Sequence, residues 1–255
     1  MPTSIKVISL NVWTAKSPEK NYQAQREPLI QKFFAEQLPD SFGVQECEPF
    51  WEERLSAVIE GYTRAQDITM TKNYIYYRTE KYDLIDNGVF WLSETPDEIS
   101  QGFGSRFYIS CCYAVLENKE TGARYVHVNT HIDVSSSTIR MAEIRVLVPR
   151  IEAMFGNSGY PIILTGDFNT YEENAVIQYL YNNGYKNSRD ISEDASMMPT
   201  FNNYVYYDPV QYRGPIDFIF VKGELKVRKT DVVDCVDGKH MSDHNAVVAC
   251  IDIYA

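Results

Sequence analysis

Asn11, Glu46, His131, Asp167, Asn169, Asp217, Asp243 and His244 are far apart in the chain, yet each borders a run that reads as a buried strand. Asn11 follows VISL and Gln45-Glu46 follow SFGV, while His131 and Asp133 lie in VHVNTHID. Asp167 and Asn169 lie in PIILTGDFN, Asp217 in RGPIDFIFV, and Ser242-Asp243-His244 precede NAVVACI. A strand end presents side chains rigidly, because core packing locks the residues before it. Carboxylates and amide oxygens suit hard cations such as Mg²⁺ or Mn²⁺. A cation so held polarises a phosphoryl oxygen and stabilises a leaving oxygen. A histidine beside a carboxylate can take a proton from water or donate a hydrogen bond to a phosphate. Metal-assisted phosphoester hydrolysis is the chemistry this inventory serves best.

Taken singly, each piece has a plain structural explanation. Asn11 fits a turn or cap, Glu46 the start of a loop, and His131 or His127 a satisfied polar residue on a strand. Gly-Asp is ordinary turn chemistry. The weight lies in their conjunction and order.

Positioning these residues takes a large set of elements. Apolar, β-rich runs predict strands over 5–10, 41–45, 73–78, 82–85, 89–92, 107–116, 124–129, 161–165, 216–221 and 245–253, with a further one at 227–233. Helical spacing predicts helices over 25–38, 49–59, 137–155 and 173–181. Strand-helix-strand-helix followed by a run of strands occurs twice, with no Pro/Gly/Ser linker between the halves. The expected architecture is one domain over 1–255, two sheets packed face to face with helices on the outer faces.

Composition narrows the partners. The chain has 255 residues, 44% of them hydrophobic, enough for a sizeable core. Its formal charge is -11 and no Lys/Arg run is present, which disfavours nucleic acid as a partner. Five cysteines form no C-x-x-C pair and read as reduced and mostly buried, with Cys111 and Cys112 facing opposite sides of a strand. No export signal or membrane-spanning run is visible, so the expected setting is cytoplasmic, with no membrane partner and a monomeric assembly.

In order, LNVW, VQE, NTHID, GDFN, IDFIFV and SDH resemble the endonuclease/exonuclease/phosphatase family of metal-dependent phosphoesterases. That family includes pancreatic deoxyribonuclease, apurinic-site endonucleases, bacterial sphingomyelinases, inositol polyphosphate 5-phosphatases and deadenylases. FWLSETP at 90–96 further resembles a largely bacterial branch of it. The resemblance implies an α/β fold, a four-layer α/β sandwich of two mixed sheets flanked by helices. It also implies one or two Mg²⁺ or Mn²⁺ ions, with Glu46 as principal ligand and Asn11 and Asp243 beside it. Asp167 would orient or deprotonate the attacking water, supported by Asn169, and His131 would hydrogen-bond a phosphoryl oxygen. His244, held by Asp217, would serve as general base or phosphate ligand.

Arg106 is a further substrate-binding candidate, matched to an arginine that family members carry on the strand before the histidine; the tryptophan that follows it there is replaced by Cys111 or Cys112. Asp133 and Arg140 fit the branch pattern, most simply as a salt bridge to the scaffold. Tyr204, Tyr206, Tyr207 and Tyr212 belong to a polar-aromatic loop over 200–212 that would pack or stack on substrate. The expected substrate is a small soluble or nucleotide-like phosphoester, with a DNA or RNA nuclease as the alternative. A non-catalytic binding module and a zinc hydrolase are the weaker rivals, since the metal-binding Glu46 and both histidines are present and no zinc-ligand spacing is.

Overall fold

The computed structural model describes residues 2–14, 22–68, 71–203 and 214–254. In chain order the elements are β1 (Thr3–Asn11), α1 (Tyr22–Gln37), β2 (Ser41–Gln45), α2 (Pro49–Val58), β3 (Tyr62–Arg64), β4 (Tyr74–Arg78) and β5 (Tyr82–Trp91). Next come β6 (Ser110–Asn118), β7 (Arg124–His131), α3 (Ser137–Phe155), β8 (Ile162–Asp167), α4 (Ala175–Asn182), β9 (Lys186–Asn187), α5 (Ser188–Ile191) and β10 (Asp194–Ala195). The chain closes with β11 (Asp217–Lys222), β12 (Leu225–Val233), β13 (Cys235–Val236), β14 (Lys239–His240) and β15 (Ala246–Ile253).

These strands form a seven-stranded sheet, β10-β12-β15-β1-β2-β4-β3, and a six-stranded sheet, β5-β6-β7-β8-β11-β9, beside a small β13-β14 pair. Three hydrophobic layers separate four structural ones. Ile8, Phe33, Phe42, Trp51 and Val248 fill the space between the seven-stranded sheet and α1 and α2. Val128, Ile144, Leu147, Leu164, Ile177 and Phe220 do the same between the six-stranded sheet and α3 and α4. Val7, Ile75, Cys112, Ile163 and Ile251 lie between the sheets. Cys111 and Cys112 are fully buried in different layers, as alternation along β6 requires. All five cysteines are free thiols. The fold is an α/β sandwich.

The layer between the sheets turns polar as it approaches one edge. His127 contacts Ser41 Oγ through Nδ1 at 2.8 Å and Thr165 Oγ1 through Nε2 at 3.0 Å. Burial drives its imidazole down to about 3, so it is neutral. Asn129 donates to the carbonyls of Val44 and Tyr74 across the gap, and Gln45 donates to Asn129 Oδ1 at 2.7 Å. This buried polar network fixes how the sheets face each other, because any slip would strand its hydrogen-bonded groups without partners.

Several expectations are corrected. The runs at 82–85 and 89–92 are one strand, β5, with a bulge between Leu84 and Asp86 that leaves Ile85 facing solvent. β6 starts at Ser110 rather than residue 107, because Phe107 N–H donates to Ser105 Oγ instead of a neighbouring strand. Arg106 therefore sits on an exposed loop and not on a strand. Leu38, expected inside α1, ends it in a left-handed conformation (φ 46°) and is exposed. Two-residue strands such as β9 and β10, and the three-residue β3, are too short to leave a periodic signal.

Candidate active site

Strand register brings the polar clusters to one edge. Asn11 and Gln45 are paired at the ends of the parallel β1 and β2, so Glu46 emerges beside Asn11. In the other sheet His131, Asp167 and Asp217 form one row, since Asp167 is the partner of His131 on one side and of Asp217 on the other. Asp243 and His244 immediately precede β15, whose start is paired with the end of β1.

Asp167 is the hub. Its Oδ2 accepts from Asn11 Nδ2 at 3.1 Å and lies 3.4 Å from His131 Nε2 and 3.7 Å from His244 Nε2. Its Oδ1 accepts from the backbone N–H of Asn169 at 2.9 Å. Asn169 Nδ2 meets His131 Nε2 at 2.9 Å and donates to the Ile132 carbonyl. Asn11 Nδ2 also reaches Glu46 Oε1 at 3.2 Å within its own sheet, so the one amide links Glu46 to Asp167 of the other sheet. His244 Nδ1 faces Asp217 Oδ2 at 2.9 Å, which places that proton and leaves Nε2 towards Asp167. Glu46, His131 and Asn169 are half-buried, while Asn11, Asp167, Asp217, Asp243 and His244 are buried. Glu46 and Asn169 are left-handed (φ 55° and 46°), strained conformations for non-glycine residues that the surrounding hydrogen bonds maintain.

Charge is concentrated here. Burial pushes the Asp243 carboxyl up to about 6, and the Glu46 charge pushes the same way against the opposing His244. Burial would likewise raise Glu46, but His131 and the hydrogen bonds from Thr14 and Asn11 hold it below its ordinary value. Burial opposes a charge on His244, yet Asp217, Asp167 and Asp243 together drive it up to about 10, so the imidazolium is the resting form at neutral pH.

This donor set fits a hard divalent cation: oxygen-rich, short of positive charge, and with carboxylates that repel one another. Glu46 and Asp243, whose charges act on each other, could hold an ion between them, and ligand atoms of Asp167, Asp217 and His244 also lie within 4.8 Å of one another. The second group is sealed, and its imidazole is already committed to Asp217. Glu46 and Asp243 therefore suit a partly hydrated Mg²⁺ or Mn²⁺ better. Asn11, expected to ligate beside Glu46, lies next to it and is held by the backbone of Trp13. Its Oδ1 accepts from Trp13 N–H at 2.9 Å and its nitrogen is turned towards Glu46.

Arg106 takes no part in the hydrogen bonds that join this cluster among the described residues. Asp133 makes no ion pair with Arg140; its Oδ1 accepts from the N–H groups of Ser135 and Ser136 at the start of α3, and Arg140 donates to the backbone carbonyls of Asp133 and Val134. Tyr204, Tyr206, Tyr207 and Tyr212 lie outside the described residues. Sequence reasoning missed Thr14, whose N–H and Oγ1 both donate to Glu46 Oε2. It also missed Thr200, whose Oγ1 accepts from Asp217 N–H while its carbonyl accepts from Asn245 N–H, bracing both halves of the Asp217–His244 pair. Neither carries a local signal, because a threonine beyond a strand is ordinary.

A family model described as endonuclease/exonuclease/phosphatase family matches residues 8–244. Among solved structures, an endonuclease/exonuclease/phosphatase family protein from Bacteroides thetaiotaomicron superposes with a TM-score of 0.89 at 26% identity, covering 100% of this chain and 99% of that one. A mannosyl-6-phosphatase from the same species gives 0.86 at 26% identity over 98% of this chain and 100% of its own. TDP2 from D. rerio, complexed with single-strand DNA product, gives 0.76 at 16% identity over 98% and 100%, a likeness of fold alone. No curated protein matches the chain significantly.

Proposed function

The chain belongs to the endonuclease/exonuclease/phosphatase family, and from that membership we propose that it is a divalent-metal-dependent hydrolase of a small, soluble phosphomonoester. The observation that carries this reading is the unbroken run of polar contacts from Glu46 through Asn11 and Asp167 to His244 and Asp217. Glu46 and Asp243 would hold Mg²⁺ or Mn²⁺, which when bound polarises a phosphoryl oxygen and steadies the departing one.

The protein's own groups divide the remaining work. Asp167 would orient the attacking water and take its proton, since its three acidic neighbours raise His244 and suit that imidazole to donating rather than accepting. Asn169 fixes Asp167 through its backbone N–H, and His131, which meets Asn169, would hydrogen-bond a phosphoryl oxygen. The His244 imidazolium, held by Asp217, donates to a second phosphoryl oxygen as negative charge builds.

A sugar phosphate is the favoured class, supported by the mannosyl-6-phosphatase among the similar structures and by the -11 formal charge, which repels a polyanionic nucleic-acid backbone. The test is phosphate release from mannose 6-phosphate, a nucleoside monophosphate, bis(p-nitrophenyl) phosphate and supercoiled plasmid, each with Mg²⁺, Mn²⁺ or EDTA. Metal-dependent release is expected from the sugar phosphate above the others. Plasmid nicking at low enzyme concentration without sugar-phosphate turnover would transfer the protein to the nucleases, and full activity in EDTA would end the metal reading.

A further inference from the structure

Arg26, in the second turn of α1, is 1% exposed, an unusual place for a guanidinium. It lies over two indoles, its central carbon 5.2 Å from the Trp13 ring and 5.0 Å from the Trp51 ring. Nη1 donates to the carbonyls of Val12 at 2.6 Å and Met241 at 3.1 Å, and Nη2 donates to the Trp13 carbonyl at 2.9 Å. One side chain thus binds the turn that leaves β1 to the turn that enters β15. Trp51 Nε1 reinforces the first turn by donating to the same Trp13 carbonyl at 3.1 Å.

Those two turns carry the acidic edge of the site. The first is left-handed at Trp13 (φ 55°) and carries Thr14, which holds Glu46 Oε2 through two donors, next to Asn11, which holds Oε1. The second carries Ser242 and Asp243, and Ser242 Oγ lies within hydrogen-bond distance of both the Asn11 carbonyl (2.6 Å) and Asp243 Oδ1 (3.2 Å). Glu46 is fixed through the first turn and Asp243 through the second, and Arg26 is the side chain that donates to both.

We propose that Arg26 is a positioning residue for the divalent-metal site, clamping the Val12–Thr14 turn against Met241 so that Glu46 and Asp243 converge on one ion. This rests on the metal-dependent reading above. Lysine cannot replace it: a single ammonium lacks the planar fork that reaches several carbonyls while lying over two indoles. The clamp acts on the ligands rather than on the reacting atoms, so its loss raises the metal requirement and leaves turnover at saturating metal nearly intact.

The experiment measures Mn²⁺ binding without substrate, from the electron paramagnetic resonance signal of free Mn²⁺, for wild type, Arg26→Lys and Trp51→Phe. Circular dichroism and thermal melts report folding alongside. Arg26→Lys is expected to bind Mn²⁺ at least about tenfold more weakly, in the range found when outer supports of metal ligands are removed. Trp51→Phe, which keeps a ring but loses the donor to Trp13, is expected to weaken binding by a smaller factor in the same direction. With saturating Mn²⁺, kcat of both should stay within about threefold of wild type, whereas damage to the reacting groups would lower kcat by more. Wild-type Mn²⁺ affinity in folded Arg26→Lys would overturn the proposal. If that variant does not fold, unchanged Mn²⁺ affinity in Trp51→Phe would overturn it. Failure of wild type itself to bind Mn²⁺ would instead remove the metal-dependent reading on which the clamp rests.

Discussion

Asp243 and Asp167 are both buried acids at the same edge, and their surroundings suit them to different work. Asp243 must be ionised to bind a cation, and burial with the Glu46 charge has lifted its carboxyl to about 6. Protons therefore compete with metal below that pH and not above it. The Mn²⁺ concentration for half-maximal activity should be flat from pH 7 to 8 and rise about tenfold per unit below about pH 6 if one proton is displaced; a flat requirement down to pH 5 would remove Asp243 from the ligand set. Asp167 instead collects donors from Asn11 and Asn169 on separate oxygens. Asp167→Asn keeps the shape and removes the basic oxygen, so kcat should fall by about 10²–10⁴ with little change in melting temperature. Near-normal turnover in that variant would show that another group takes the proton.

At the scale of elements, β2 delivers Glu46 and depends on Gly43 to do so. A Cβ at Gly43 would overlap Thr165 Oγ1 and Asn129 Oδ1, the buried polar groups that lock the two sheets together. Gly43→Ala should cost about 1–3 kcal/mol by urea denaturation, as overpacking does. It should also weaken metal binding, because the strand can relieve the overlap only by shifting its end. Long elements were legible in the residues themselves. α3 begins at Ser137, as its spacing predicts, with Ser136 accepting from Ile139 N–H as N-cap. β8 and β11 were recognisable as continuous apolar runs. Legibility failed where tertiary pairing overrides local pattern. The β5 bulge turns one strand into two apparent ones, and pairing of Trp91 with Ser110 leaves Arg106 outside β6.

For the whole molecule, the seven-stranded sheet takes strands from both ends of the chain and the six-stranded sheet from its middle, and Glu46 follows β2 while Asp243 precedes β15, so an ion bridging these two distant residues should stabilise the folded state. Mn²⁺ at a hundredfold its dissociation constant should add about 2.7 kcal/mol, or roughly 5–10 °C in melting temperature for a chain of this size, reversed by EDTA. An unchanged melt in saturating metal would contradict a site formed by folding. Among the described residues, no helix is long and apolar enough to cross a membrane. By itself the sequence determined the family, the α/β class and most of the residues gathered at the candidate site, because short motifs at strand ends keep their identity whatever surrounds them. Only the tertiary structure decided what surrounds each one. Asn11 turns its nitrogen to two carboxylates, His244 is charged by three surrounding acids, and Arg26 reaches carbonyls from both ends of the chain. The direction of a hydrogen bond and the charge of a buried imidazole depend on neighbours that are distant along the chain, so neither is written in the residue or its local sequence.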